Sequence, residues 1–195
     1  MSFTPQINFD YVYPLNRANE DLCVASFKVP LMGGSSIVLH LKISRQPHEL
    51  GSTIYNLSFG PYDSRNQIDD KIELSYLDHS KVFSTILLFG LNYLLCNQGH
   101  SLGIDGSDHR RASYYWRMLQ KNFDYLSNYF NICGLKYFVR ITRFMKHQYE
   151  NPFDFEDIFT LTAPLVKTFK CPEHMYNYFT FDLKQHLKNE MKLYG

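Results

Sequence analysis

The chain has 195 residues, 45% hydrophobic and 20% charged, with a formal net charge of +1. Those totals exclude an extensively disordered chain and allow one domain with a real core. The longest apolar run, residues 82–96, is interrupted by Ser84, Thr85 and Asn92 and is shorter than the about 20 residues that span a bilayer, so no membrane association is expected.

Residues 1–20 are polar, with Tyr11, Val12 and Tyr13 a candidate short strand. Residues 22–29 are β-rich and stop at Pro30; Met32-Gly-Gly-Ser-Ser then reads as a turn. In residues 37–43, Ile37, Leu39, Leu41 and Ile43 alternate with Val38, His40 and Lys42, the period of a half-buried strand. Residues 53–60 alternate again, and three strands joined by turns predict an antiparallel meander. Residues 72–76 are a candidate further strand. Asp78 or Ser80 then caps a helix over 81–97 that is apolar nearly all round and is therefore buried. Gly90 in its middle costs ~1 kcal/mol against Ala, which predicts close packing on the sheet there.

A short strand over 101–105 ends in Asp105. Ser107 or Asp108 caps a second helix to about residue 121, with Ala112, Tyr115, Trp116 and Leu119 on its apolar face. Phe123, Leu126 and Phe130 fit a short third helix that Gly134 breaks. Residues 135–144 read as a strand, and Asn151-Pro152 interrupts the chain. Residues 153–169 read as a loop and a helix interrupted at Pro164, and residues 172–193 as a C-terminal helix with Pro172 in its first turn. The expected fold is α+β: one domain over 1–195, a largely antiparallel sheet, a buried central helix and further helices packed on it.

Residues 1–80 carry six Lys/Arg and nine Asp/Glu, whereas residues 107–147 carry eight and two. A basic segment in a near-neutral chain points to a local anionic partner or to an acidic face of the same fold. Cys23, Cys96, Cys133 and Cys171 form no zinc spacing, and Met1-Ser-Phe-Thr-Pro-Gln lacks the pattern of a signal peptide. Reduced cysteines and a cytoplasmic location are therefore expected.

Several motifs resemble those of a small bacterial family of unknown function, known mainly from Bacteroidetes genomes. They are the strand Tyr55-Asn-Leu-Ser-Phe-Gly60, the loop Ile68-Asp-Asp70, the helix start Lys81-Val-Phe-Ser-Thr85 and a Gly-Ser-x-x-x-Arg-x-x-x-Tyr turn-helix from Gly106 to Tyr115. Where that family has a polar turn rich in Asn and Gly, this chain has Tyr76-Leu-Asp-His. The resemblance implies a bacterial or phage, cytosolic, single-domain protein and no particular activity.

The candidate chemistry lies in Asp105-Gly-Ser-Asp-His-Arg-Arg. A helix N-terminus offers free N–H groups, and arginines offer forked donors to a phosphate or carboxylate. Ser107, Arg110 and Tyr114 form the expected anion-binding set, with Arg111 a weaker member. Asp69, Asp70 and Asp105 form a candidate acidic cluster. With Asp108 and His109 they suggest Mg²⁺, as a nuclease needs, though no spacing demands a metal and none is assigned. Arg140, Arg143 and Lys146 beside Tyr137, Phe138 and Phe144 mix cations with rings as nucleic-acid binders do.

The favoured reading is a cytosolic, non-enzymatic binding or interaction protein for an anionic ligand or a protein partner, with no cofactor. Its setting, from the resemblance and the size, is a defence, toxin–antitoxin or phage-counterdefence system. The alternative is a metal-dependent nucleic-acid-processing enzyme.

Overall fold

The computed structural model describes residues 4–70, 72–106, 109–141, 153–168, 170 and 175–192. They form strands β1 (Arg17–Ala18), β2 (Val24–Pro30), β3 (Ser36–Ile43), β4 (Ile54–Gly60), β5 (Ser101–Asp105), β6 (Phe130–Ile141), β7 (Phe153–Pro164) and β8 (Tyr178–Leu183). The helices are α1 (His79–Cys96), α2 (His109–Lys121), α3 (Phe123–Leu126) and α4 (Gln185–Lys192). The strands make one eight-stranded sheet in the order β1-β2-β3-β4-β5-β8-β6-β7. Among the described residues, β4 and β5 are the one parallel pair; the other neighbours are antiparallel. The α+β expectation holds.

Register explains the layers. Phe27 faces Leu39, Leu41 faces Phe59, Ile43 faces Leu57, Leu102 faces Phe181, and Phe181 faces Ile132. These residues share one side of the sheet, and most are fully buried. Helix α1 crosses from β4 to β5 over that side, as a parallel pair requires. Asp78 caps it by accepting Lys81 N at 2.9 Å. Gly90 meets the sheet as expected, since a Cβ there would lie 2.9 Å from Leu102 Cδ1 and 3.5 Å from Leu57 Cδ2.

Helix α1 also buries Ser84 and Thr85, polar residues with a specific use. The expected strand at 11–13 does not form. Instead residues 4–13 lie along the helices, and their N–H groups donate to side chains. Gln6 N reaches Ser80 Oγ, Asn8 N reaches Ser84 Oγ and Tyr13 N reaches Thr85 Oγ1, each at 2.9 Å. Ile7 N donates to Asn122 Oδ1 at 2.7 Å. Hydroxyls of Ser80, Ser84 and Thr85 and the buried Asn122 amide thus satisfy these backbone donors.

The second half of the chain differs more from expectation. Residues 72–76 supply one isolated bridge, Leu31 to Tyr76, and no strand. The third helix stops at Leu126, and Phe130 opens β6, because its ring is buried in the sheet core opposite Leu183. Gly134 lies inside β6, where a Cβ would fall 2.5 Å from the Tyr176 ring. Residues 153–164 are strand and not helix, with Phe159, Leu161 and Ala163 paired to Phe138, Lys136 and Gly134. Pro164 ends this edge strand, where a missing N–H breaks no ladder. The expected helix over 172–193 is a strand, Tyr178–Leu183, followed by the short α4. Tyr178, Phe179, Thr180 and Phe181 are aromatic and β-branched, and β8 fills the slot between β5 and β6. Pro172, the caps Ser107 and Asp108, the strand end at 142–144 and Asn151-Pro152 lie outside the described residues.

Phe89 is 2% exposed inside α1. Phe89→Ala should lower unfolding free energy by about 3–5 kcal/mol in chemical denaturation, and a loss below ~1 kcal/mol would contradict the buried-helix account. Cys23, Cys96 and Cys133 are free thiols. Adding a reductant should therefore leave the melting temperature unchanged; a clear fall would reveal a bridge.

Candidate functional site

Strands β4 and β5 pair only from Ile54↔Ser101 to Asn56↔Gly103. Beyond that point β4 keeps to β3 and β5 keeps to β8. Two parallel strands therefore part at their carboxyl ends, the kind of place where α/β folds open a ligand crevice. Asn56, Ser58, Asp70, Asp105, Arg111 and Tyr115 are among the residues that line it. Its free volume is about 20 Å³, room for about one water.

Tyr178 packs beside this parting, outside the lining of the crevice. It is fully buried, and its hydroxyl donates to Asn56 Oδ1 at 2.8 Å. Its ring lies across Gly103, in the space a Cβ at that position would need. Asn56 Nδ2 donates to Ser58 Oγ at 2.9 Å, and Asn56 N to Ser44 Oγ at 3.0 Å, so the amide is held from both sides. Burial and the charge of Asp105 raise the Tyr178 phenol above its usual range, so it remains a donor at neutral pH.

Arg111 closes the mouth. Its side chain is 23% exposed, and Nη1 lies 3.1 Å from the Asp70 carbonyl oxygen and 3.6 Å from Asp70 Oδ2. Tyr115 sits beneath it; burial raises its phenol, and Arg111 partly offsets that. Asp69 lies behind, its carbonyl oxygen packed on Gly60.

The expected set separates in space. Ser107 lies outside the described residues. Arg110 points to solvent and pairs with the equally exposed Glu73 at 2.9 Å. Tyr114 packs its ring 5.4 Å from that of Phe83, and its hydroxyl is buried without a hydrogen-bond partner among the described residues. Arg111, the weaker member, is the arginine in the crevice, together with Asp70 and Asp105 from the acidic cluster. Asn56, Tyr115 and Tyr178 were absent from the expected site. Asn56, Asp70, Arg111 and Tyr115 all stand in the motifs that carry the family resemblance, which was the available signal.

Among the described residues, no group of three or more His, Cys, Asp or Glu could hold a metal ion. The acidic cluster thus gives the nuclease reading no ligand set there. Arg143, Phe144 and Lys146 of the cation–aromatic segment, the side chains of Tyr137, Phe138, Arg140 and His109, and Cys171 lie outside the description. No helix among the described residues is long and apolar enough to cross a membrane.

A family model matches residues 34–157, 124 of the 195. The chain belongs to DUF6934, a family of unknown function. No curated protein and no solved structure matches it. The DUF6934 match contains every residue of the crevice, from Asn56 to Tyr115, but ends before β8 and Tyr178.

Tyr178→Phe should lower stability by about 1–2 kcal/mol by leaving Asn56 Oδ1 without its donor. Gly103→Ala should cost roughly 3 kcal/mol, because the new methyl meets a fully buried ring. Urea denaturation measures both, and a neutral Gly103→Ala would show that the ring can move aside.

Proposed function

We propose that this DUF6934 protein is a non-enzymatic binding protein that takes an oxyanion, a phosphate monoester or a partner's carboxylate, at the arginine-bearing mouth of the β4/β5 crevice. The observation that carries this reading is the seating of Arg111 where two parallel strands part. Asp70 is one of the groups that hold the arginine there, and its carboxylate can be displaced. The Asp70 side chain is 46% exposed and its carboxylate stands 3.6 Å from the guanidinium, a loose pair. The neighbouring pair, Arg110 with Glu73, is exposed on both sides and contributes little to stability. An incoming oxyanion exchanges with Asp70 and meets the forked donor of Arg111.

Phosphate and sulfate stabilise most proteins in a general way, so the readout is the difference between variants. Phosphate should raise the melting temperature of the native chain by a few °C more than that of Arg111→Ala, following ligand linkage. The control Arg65→Ala, an exposed arginine elsewhere, should behave like the native chain. Sodium chloride should shrink the difference. Equal shifts in the native chain and in Arg111→Ala would remove the reading.

A further inference from the structure

A second concave feature lies on the outer side of α2, away from the crevice. It is a cavity of about 350 Å³ between that helix and the segment after β7, lined by Trp116, Arg117, Gln120, Lys121, Lys167 and Thr168, with Thr4 at its margin. That volume lies within the roughly 300–1,000 Å³ of small-molecule sites.

Among the described lining residues the charges have one sign: Arg117, Lys121 and Lys167 contribute three cations, and there is no carboxylate. Lys167 pairs with the exposed Asp124 outside the lining, and Lys121 Nζ donates to Thr4 O at 2.6 Å. Arg117 is exposed and has no acid partner among the described residues. Arg110, Tyr114, Arg117 and Lys121 follow one another at spacings of four, three and four, one stripe of the helix. The basic character noted around the turn therefore continues down α2 and into this cavity.

The walls are also held in place. Gln120 Nε2 donates to Val166 O at 3.0 Å, and Gln120 Oε1 accepts from Thr168 N at 2.8 Å. These two bonds clamp the segment after β7 against α2. Trp116 is buried at 8% exposure and supplies an apolar wall, to which the stems of the long cations add. Flat apolar surface ringed by cations suits a planar body carrying a phosphate.

We propose that this cavity is a second binding site, for a phosphorylated small molecule with a planar apolar body, of the class of the nucleoside monophosphates. The phosphate meets Arg117 and Lys167, and the planar part lies against Trp116 and the cation stems. The inference rests on different residues from the β4/β5 crevice and stands or falls independently of it.

Trp116 is the single tryptophan of the chain, so its emission reports on this site alone. The full chain is titrated with adenosine monophosphate, adenosine, inorganic phosphate and an RNA decamer, and followed by Trp116 fluorescence and by calorimetry. Adenosine monophosphate should give a saturable emission change. Adenosine should bind at least about tenfold more weakly, and inorganic phosphate should compete. Arg117→Ala and Lys167→Ala, both at exposed positions that should leave folding intact, should each weaken the nucleotide at least about tenfold. Arg65→Ala should have no effect. The proposal is overturned by the absence of both heat and emission change up to ~1 mM nucleotide, the weak end of the affinity scale. It is equally overturned if Arg117→Ala binds as tightly as the native chain. Binding of the decamer without binding of the monomer would overturn it too, and would assign the surface to nucleic acid.

Discussion

The placing of Tyr178 across Gly103 is the contact on which most else depends. A side chain on Gly103 would occupy the space of the Tyr178 ring, so only glycine lets β8 lie flat beside β5. The phenol then reaches Asn56 on β4, tying together three strands from distant parts of the chain. The last β4–β5 pair is Asn56 with Gly103, the same two residues. The contact that fastens the two halves of the sheet therefore also fixes where the parallel strands separate and the crevice begins.

Elements that show their environment in their own residues were legible in the sequence. The alternation from Ile37 to Ile43, the all-round apolarity of α1 and the cap at Asp78 each report a local periodicity or a local bond. β8 is different. Tyr178, Phe179, Thr180 and Phe181 are all buried, so no alternation marks the strand, and its partners β5 and β6 are remote in the chain. For β7 the pairing with β6 decides the conformation, and a break at Pro164 in an apolar stretch reads equally well as a helix boundary.

The site was half legible for a related reason. Arg110 and Arg111 are adjacent and about 100° apart round the helix. Which of them enters the crevice depends on the rotation of α2 against the sheet. Ala112, Tyr115, Trp116 and Leu119 define that rotation, and Arg111 lies one turn before Tyr115 on the same side of the helix. The charge asymmetry has a similar explanation. Asp70 and Glu73, in the acidic part of the chain, meet Arg111 and Arg110 in the basic part, so part of the imbalance is internal pairing between distant segments.

The position of β8 bears on how the chain is made as well as on how it is held. During synthesis β5, α2 and β6 leave the ribosome before β8, yet β5 and β6 have no contact in the ladder except through it. Until residue 183 has emerged, two strand edges rich in aromatic and aliphatic side chains stand open on either side of an empty slot. Non-local pairing of this sort is slow to form and leaves nascent chains prone to association. The strand that closes the middle of the sheet comes after both of its partners in the chain, so the two halves cannot join into one layer until residues 178–183 have been made.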